Sequence, residues 1–222
     1  MIDGDDTGAV PPSRGRFLTL EGLEGVGKTS NRSFVEERLR AAGARVLVTR
    51  EPGGTPLGER LRTLVLEASG TMRAETELLL MTAARLEHVA QVIEPALARG
   101  EWVLCDRYLD ASVAYQGGGR RLGTAFVAEL HRRLGLTLAP DLTILLDMEV
   151  RTGLERMVAR GALDRIEREG EAFFERARSA YLERARAEPE RVAVVDAGRP
   201  LSEVQRSIEA VLVARLALPR AG

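Results

Sequence analysis

The sequence has one cysteine and two histidines in 222 residues. Cys105 alone can form no intrachain disulfide, and a four-cysteine zinc site is excluded. His88 and His131 are too few for a histidine metal cluster. Charge of one sign is also missing. Lys+Arg total 32 against 33 Asp+Glu, a net charge of -1, which gives no general attraction to nucleic acid or an anionic membrane. No apolar run reaches the roughly 18 residues of a membrane span. The first 15 residues lack a basic stretch leading into an apolar one, so they do not read as a secretory signal. The expectation is a cytoplasmic protein with no nucleic-acid and no membrane partner. What is present, 45% hydrophobic and 29% charged residues, suits one large domain whose core needs no staple.

Residues 1–15 are rich in Asp, Gly and Pro and are expected to form a flexible extension ahead of one domain over 16–222. There, short apolar runs alternate with helical spacing. The runs 17–21, 45–49, 102–106, 142–147 and 191–196 predict strands. Helices are predicted over 29–42, 57–68, 74–99, 124–134, 149–160, 171–188 and 202–216, with Gly43 closing the first and Ser202 as N-cap of the last. Nearly continuous apolar strands, each followed by helix, belong to a parallel sheet covered on both faces. The fold class is therefore α/β, with five parallel strands flanked by helices in three layers. Ligands of such sheets bind at the carboxyl ends of the strands, where Glu21, Asp106, Asp147 and Asp196 stand.

One of those ends carries a phosphate-loop motif. Gly22-Leu23-Glu24-Gly25-Val26-Gly27-Lys28-Thr29 fits G-x-x-x-x-G-K-[ST] between a predicted strand and a predicted helix. Glycines let successive backbone N–H groups curl around a phosphate at the helix N-terminus. Lys28 suits the β- and γ-phosphates, and the Thr29 hydroxyl suits Mg²⁺. These eight residues predict a nucleoside triphosphate site and leave the reaction open. A GTPase-type switch would need D-x-x-G and N-K-x-D downstream, and neither occurs. A mechanical ATPase usually needs a longer chain. A kinase of a small acceptor needs a second pocket with converging arginines.

Thr49-Arg50-Glu51-Pro52-Gly53-Gly54-Thr55 and Asp106-Arg107-Tyr108, followed by Ser112, Tyr115, Gln116 and Gly117, stand at two further strand ends. Together with the phosphate loop these segments resemble the thymidylate kinases, and the likeness runs from residue 16 to about 205. The resemblance implies the nucleoside monophosphate kinase fold with a short lid at about 155–170. It implies transfer of the γ-phosphoryl of ATP to dTMP, giving dTDP and ADP for dTTP synthesis, with Mg²⁺ and usually as a homodimer. Arg50 and Arg107 would hold the acceptor phosphate, a task the planar guanidinium fork suits. Glu24 would meet the acceptor's 3′-hydroxyl and its phosphate-binding arginine. Arg85, Ser112 and Gln116 would read the base, and Tyr115 would pack over the sugar. Met81 stands where the family usually stacks a phenylalanine. Asp106 would join Thr29 at the metal, while Asp147 is open between a structural and a metal role. The 196–198 turn would lie beside adenine.

Gly25 in the loop and Gly161-Ala162-Leu163-Asp164-Arg165-Ile166-Glu167 downstream resemble the bacterial branch, whose catalytic arginines lie in the lid. Arg160 and Arg165 are the expected lid arginines, and Gly161 and Gly170 the expected hinges. Another nucleoside monophosphate or a deoxynucleoside as acceptor, or a nucleotide-binding regulator, remain the alternatives to dTMP phosphorylation.

Overall fold

The computed structural model describes residues 14–67, 70–161 and 163–219; the side chain of Arg160 is not among those described. All but two residues of the expected extension fall outside this range. Of those two, Gly15 donates its N–H to the Leu97 carbonyl at 2.8 Å.

The strands are β1 (Phe17–Glu21), β2 (Val46–Arg50), β3 (Trp102–Asp106), β4 (Leu142–Asp147) and β5 (Val192–Asp196). They form one parallel sheet in the order β2-β3-β1-β4-β5. β1 lies at the centre with all five residues buried; its two polar side chains are hydrogen-bonded, Thr19 with Thr143 and Glu21 with Tyr108 N and Tyr181 Oη. Leu18 stands opposite Leu104 of β3 and Leu142 of β4. From β1 the chain skips to the edge strand β2 and returns to β3 beside β1, then crosses to the other side for β4 and β5. The loop after β1 therefore sits at the topological switch point.

Both faces are covered. Leu18 and Leu20 share a buried cluster with Val35 and Leu39 of α1 (Lys28–Ala41) and with Ile208 and Leu212 of α9 (Leu201–Leu216). The side chain of Phe17, one residue out of phase, falls in another cluster with Ile93 and Leu97. α1 ends as expected: Gly43 is left-handed (φ 88°), and Gly43 and Ala44 return their N–H groups to Arg40 and Leu39. α2 (Pro56–Leu66) is capped by Thr55 Oγ1, which accepts from Gly58 N at 2.9 Å.

Two sequence expectations need correction, and one helical stretch was not anticipated. The helix expected over 74–99 is α3 (Ala74–His88), a π turn (Val89–Ile93) and α4 (Glu94–Ala98). Pro95, in the first turn of α4, has no N–H for the α ladder, and the wider turn precedes it. Ser202 does not cap α9. Pro200 holds that position, its carbonyl accepting from Glu203 and Val204. The stretch after β3 is helical, as α5 (Leu109–Ser112) running into a π segment (Val113–Gly119). Its three glycines hide it from propensity, yet each is needed for contact. A Cβ on Gly118 would stand 2.8 Å from that of Ala180, and one on Gly119 2.6 Å from the Phe173 ring. The remaining helices are α6 (Thr124–Arg133), α7 (Val150–Arg160) and α8 (Glu171–Ala187).

Candidate active site

A cavity of about 680 Å³ opens where the loop after β1 meets the ends of β2 and β3, α3 and the segment after α7. The loop is shaped by glycine. Gly25 (φ 74°) and Gly27 (φ 84°) are left-handed, and a Cβ on Gly25 would lie 2.0 Å from the Gly153 carbonyl oxygen of α7. Glu24, Gly25, Gly27, Lys28 and Thr29 line the cavity. Leu23 and Val26 are buried and anchor the loop from below. Lys28 Nζ donates to the carbonyls of Leu23 (2.7 Å) and Gly22 (3.1 Å). Burial and the nearby Arg107 charge push its pKa down to about 8, against the opposing pull of Glu24, Asp106 and Glu21.

Arg107 follows the last residue of β3 with a left-handed backbone (φ 69°), uncommon for a residue with a side chain. Its guanidinium donates to the Gly22 carbonyl (2.9 Å), to Tyr115 Oη (3.1 Å) and to Glu24 Oε1 (2.5 Å). Tyr115 Oη donates to the other Glu24 oxygen at 2.5 Å. Burial alone would raise the Glu24 pKa. Arg107, Lys28 and the Tyr115 hydroxyl outweigh it and hold Glu24 below the ordinary carboxylate value. The carboxylate that is costly inside a phosphate loop is thus the group that fixes the arginine at the cavity wall.

Arg50 and Arg62 add two more cations. Arg50 Nη2 pairs with Glu59 Oε2 at 2.8 Å, and Glu59 Oε1 accepts from Gly54 N at 2.9 Å. Arg62 was not among the expected site residues. It donates to the Pro52 carbonyl at 3.1 Å, and burial together with the charge of Arg50 lowers its pKa. Its one legible signal is its place on α2, three residues after Glu59 and so on the same helical face.

Met81, Tyr115 and Gln116 line the cavity. Arg85 and Ser112 do not; they stand behind its wall, at 1% and 0% exposure. Arg85 donates through Nε to Glu51 (2.6 Å), through Nη1 to Ser112 (2.9 Å) and His131 Nε2 (2.7 Å), and through Nη2 to the Tyr108 carbonyl (2.9 Å). Four of its five N–H groups are thereby engaged. Burial and the Arg85 charge push His131 down to about 4, so the imidazole is neutral and can accept from Arg85. Glu51, quoted in the sequence motif without a role, both lines the cavity and anchors this network.

Among the expected metal residues, Asp106 and Thr29 both line the cavity, and Asp106 Oδ1 is buried with no hydrogen-bond partner among the described residues. A carboxylate and a hydroxyl are the hard oxygen donors Mg²⁺ takes. The described residues hold no group of three or more His, Cys, Asp or Glu able to bind a metal by themselves. That suits an ion whose remaining ligands are nucleotide phosphates and water. Asp147 has both oxygens clamped by Arg178, at 2.7 and 2.8 Å, a structural role.

The lid arginines separate. Arg165 does not line the cavity. Its guanidinium donates to the Val65 carbonyl (2.7 Å) and to Glu77 Oε2 (2.6 Å). Arg160 closes α7, and its side chain lies outside the described ones. Asp164, Ile166 and Glu167 bring the lid to the cavity rim, as does Arg156 from α7. Asp164 Oδ1 caps the N–H groups of Ile166 (2.9 Å) and Glu167 (2.8 Å). Gly161 is left-handed (φ 123°) and Gly170 is extended.

Comparison with known proteins agrees with this geometry. The sequence matches the thymidylate kinase family over residues 20–208. It is 55% identical over 207 residues to a thymidylate kinase of Pseudomonas savastanoi pv. phaseolicola, covering 93% of this chain and 99% of that one. The thymidylate kinase of Pseudomonas putida strain W619 is 56% identical over 197 residues, 88% of this chain and 95% of the relative. The crystal structure of thymidylate kinase from Ehrlichia chaffeensis superimposes with a TM-score of 0.72 at 30% identity, covering 90% of this chain and 98% of that one. Sequence, sheet order and the contents of the cavity lead to the same place: the chain belongs to the thymidylate kinase family.

Proposed function

We infer that this protein is the phosphotransferase its family implies, moving the γ-phosphoryl group of ATP to dTMP and releasing ADP and dTDP. The observation that carries the reading is one cavity lined both by Lys28 with the phosphate loop and by Arg50, Arg62, Arg107, Met81 and Gln116. In this reading the first group takes the donor and the second the acceptor phosphate and base. An acceptor phosphate is already anionic and nucleophilic, so the protein needs no covalent intermediate. Its work is alignment and charge neutralisation. Lys28 leaves the loop carbonyls for the donor phosphates, and Arg107, held by Glu24, meets the acceptor phosphate. Tyr115 over the sugar disfavours a ribose 2′-hydroxyl, and Arg85 and Ser112 support base reading from behind. Asp106 and Thr29 would hold Mg²⁺, which supplies positive charge to the transferring group when bound.

Arg160 is the lid arginine we assign to the γ-phosphoryl, and Arg165 anchors the lid to α2 and α3. The exposed Leu79 of α3 and Phe126 of α6 support a homodimer formed through these helices. ATP and a nucleoside monophosphate as substrates point to the cytoplasm; no helix among the described residues is long and apolar enough to cross a membrane.

The test is ADP production with ATP and Mg²⁺ across dTMP, dUMP, ribo-TMP, dCMP, AMP, GMP and thymidine. Preference for dTMP by orders of magnitude is expected. A different preferred monophosphate would overturn the base assignment, and absence of turnover with every acceptor would overturn the kinase reading.

A further inference from the structure

Glu77, on α3 one helical turn before Met81, is fully buried yet charged. Burial pushes its pKa up, but hydrogen bonds from Arg120, Gln116 and Arg165 outweigh that and hold it below the ordinary value. Arg120 Nε lies 3.1 Å from Oε2, Arg165 Nη2 donates to Oε2 at 2.6 Å, and Gln116 Nε2 donates to Oε1 at 2.7 Å. Gln116 lines the cavity. Its other end, Oε1, is buried and has no partner among the described residues.

These contacts remove a freedom that a glutamine side chain normally has. An amide can turn over and exchange donor for acceptor. Here it cannot, because an ionised carboxylate only accepts, so the NH₂ end must face Glu77. The end left over is an acceptor. A buried acceptor without a partner is costly, and because Gln116 lines the cavity, a ligand N–H is well suited to complete it. Thymine and uracil carry one at N3, whereas cytosine carries a lone pair there.

We propose that Glu77 is a specificity-determining positioning residue, which locks the Gln116 amide with its oxygen toward the acceptor base and so selects a pyrimidine with an N3–H. The proposal rests on the dTMP kinase reading and adds a residue that does not line the cavity. Arg120 and Arg165 keep Glu77 ionised. Because Arg165 comes from the lid, lid placement and base selection share one carboxylate.

The test is Glu77→Gln, which keeps the shape but lets both amides turn over together. The ratio of kcat/KM for dTMP to that for dCMP is expected to fall about tenfold, the size of one buried hydrogen bond made or lost. A merely structural loss would lower both values together and leave the ratio unchanged, and an unchanged ratio in a folded variant overturns the proposal. If the variant does not fold, as read by its melting curve, the wild type is assayed with 3-deaza-dTMP, which lacks only the N3–H. A loss of about tenfold that disappears in Gln116→Leu supports the proposal, and a loss under about twofold overturns it. Failure of the wild type to phosphorylate dTMP would instead sink the underlying reading.

Discussion

Arg107 and Glu24 approach to 2.5 Å across the join between the end of β3 and the phosphate loop. Neither side chain is more than 16% exposed. A charge-assisted pair at this burial is stronger than its surface counterpart, and losing one partner strands the other. Glu24→Gln is therefore expected to lower kcat/KM for dTMP by roughly 10- to 100-fold. It should also narrow the gap between dTMP and ribo-TMP, because Tyr115 loses the carboxylate that holds its hydroxyl. Steady-state assays with both acceptors check this; an unchanged gap would detach Glu24 from sugar selection.

Lys28 gives a pH dependence. Its pKa is pushed down to about 8 in the free protein, and only the cation serves the donor phosphates. Because kcat/KM reports the free enzyme, kcat/KM for ATP should decline as pH rises through that value. Lys28→Arg, which stays charged, should lose this limb even if it turns over slowly. A wild-type profile flat from about pH 7 to about pH 9 would refute the assignment.

Arg160→Ala is expected to lower kcat by about 10³-fold while KM for dTMP stays within about threefold, the signature of a transition-state contact. Rapid-quench single turnover separates this from slow product release. If KM moves and kcat does not, the arginine belongs to binding.

Glu21 predicts a stability effect. Burial and the neighbouring Asp110 push its pKa up to about 7 from an ordinary 4.5, although Tyr181 Oη and Tyr108 N donate to it at 2.6 and 2.7 Å. The folded state then holds this proton between 4.5 and about 7 while the unfolded state has released it. Stability from this group is lost as pH rises through that window. Glu21→Gln keeps both hydrogen bonds, since the tyrosine hydroxyl can turn to accept. Its melting temperature should exceed that of wild type at pH ~8 and converge with it near pH ~5. Parallel melting curves at both pH values would contradict this.

The five strands and the phosphate loop were legible because each is a local pattern: a short apolar run, or glycines before Lys-Thr. The aspartates were harder. Asp106 and Asp147 both end apolar strands, and what distinguishes them is the Arg178 clamp, 31 residues from Asp147, and the place of Asp106 in the cavity wall. Arg165 had the composition of a lid arginine, but its partners, Val65 and Glu77, come from α2 and α3. Arg62 and Glu51 were hidden for the same reason. Side chains that matter through distant partners leave no mark in spacing. The helical segment over the glycine run 117–119 left no mark either: its missing side chains allow close packing against Thr124 of α6 and Ala180 and Phe173 of α8, a need that no local pattern carries.

The contact between Gly25 and Gly153 has a mechanical meaning. Phosphate loop and α7 meet backbone to backbone, with no side chain between them to bend or slide. A side chain at either glycine would force the loop and the helix apart, so the shape of the loop depends on α7 as much as on its own glycines.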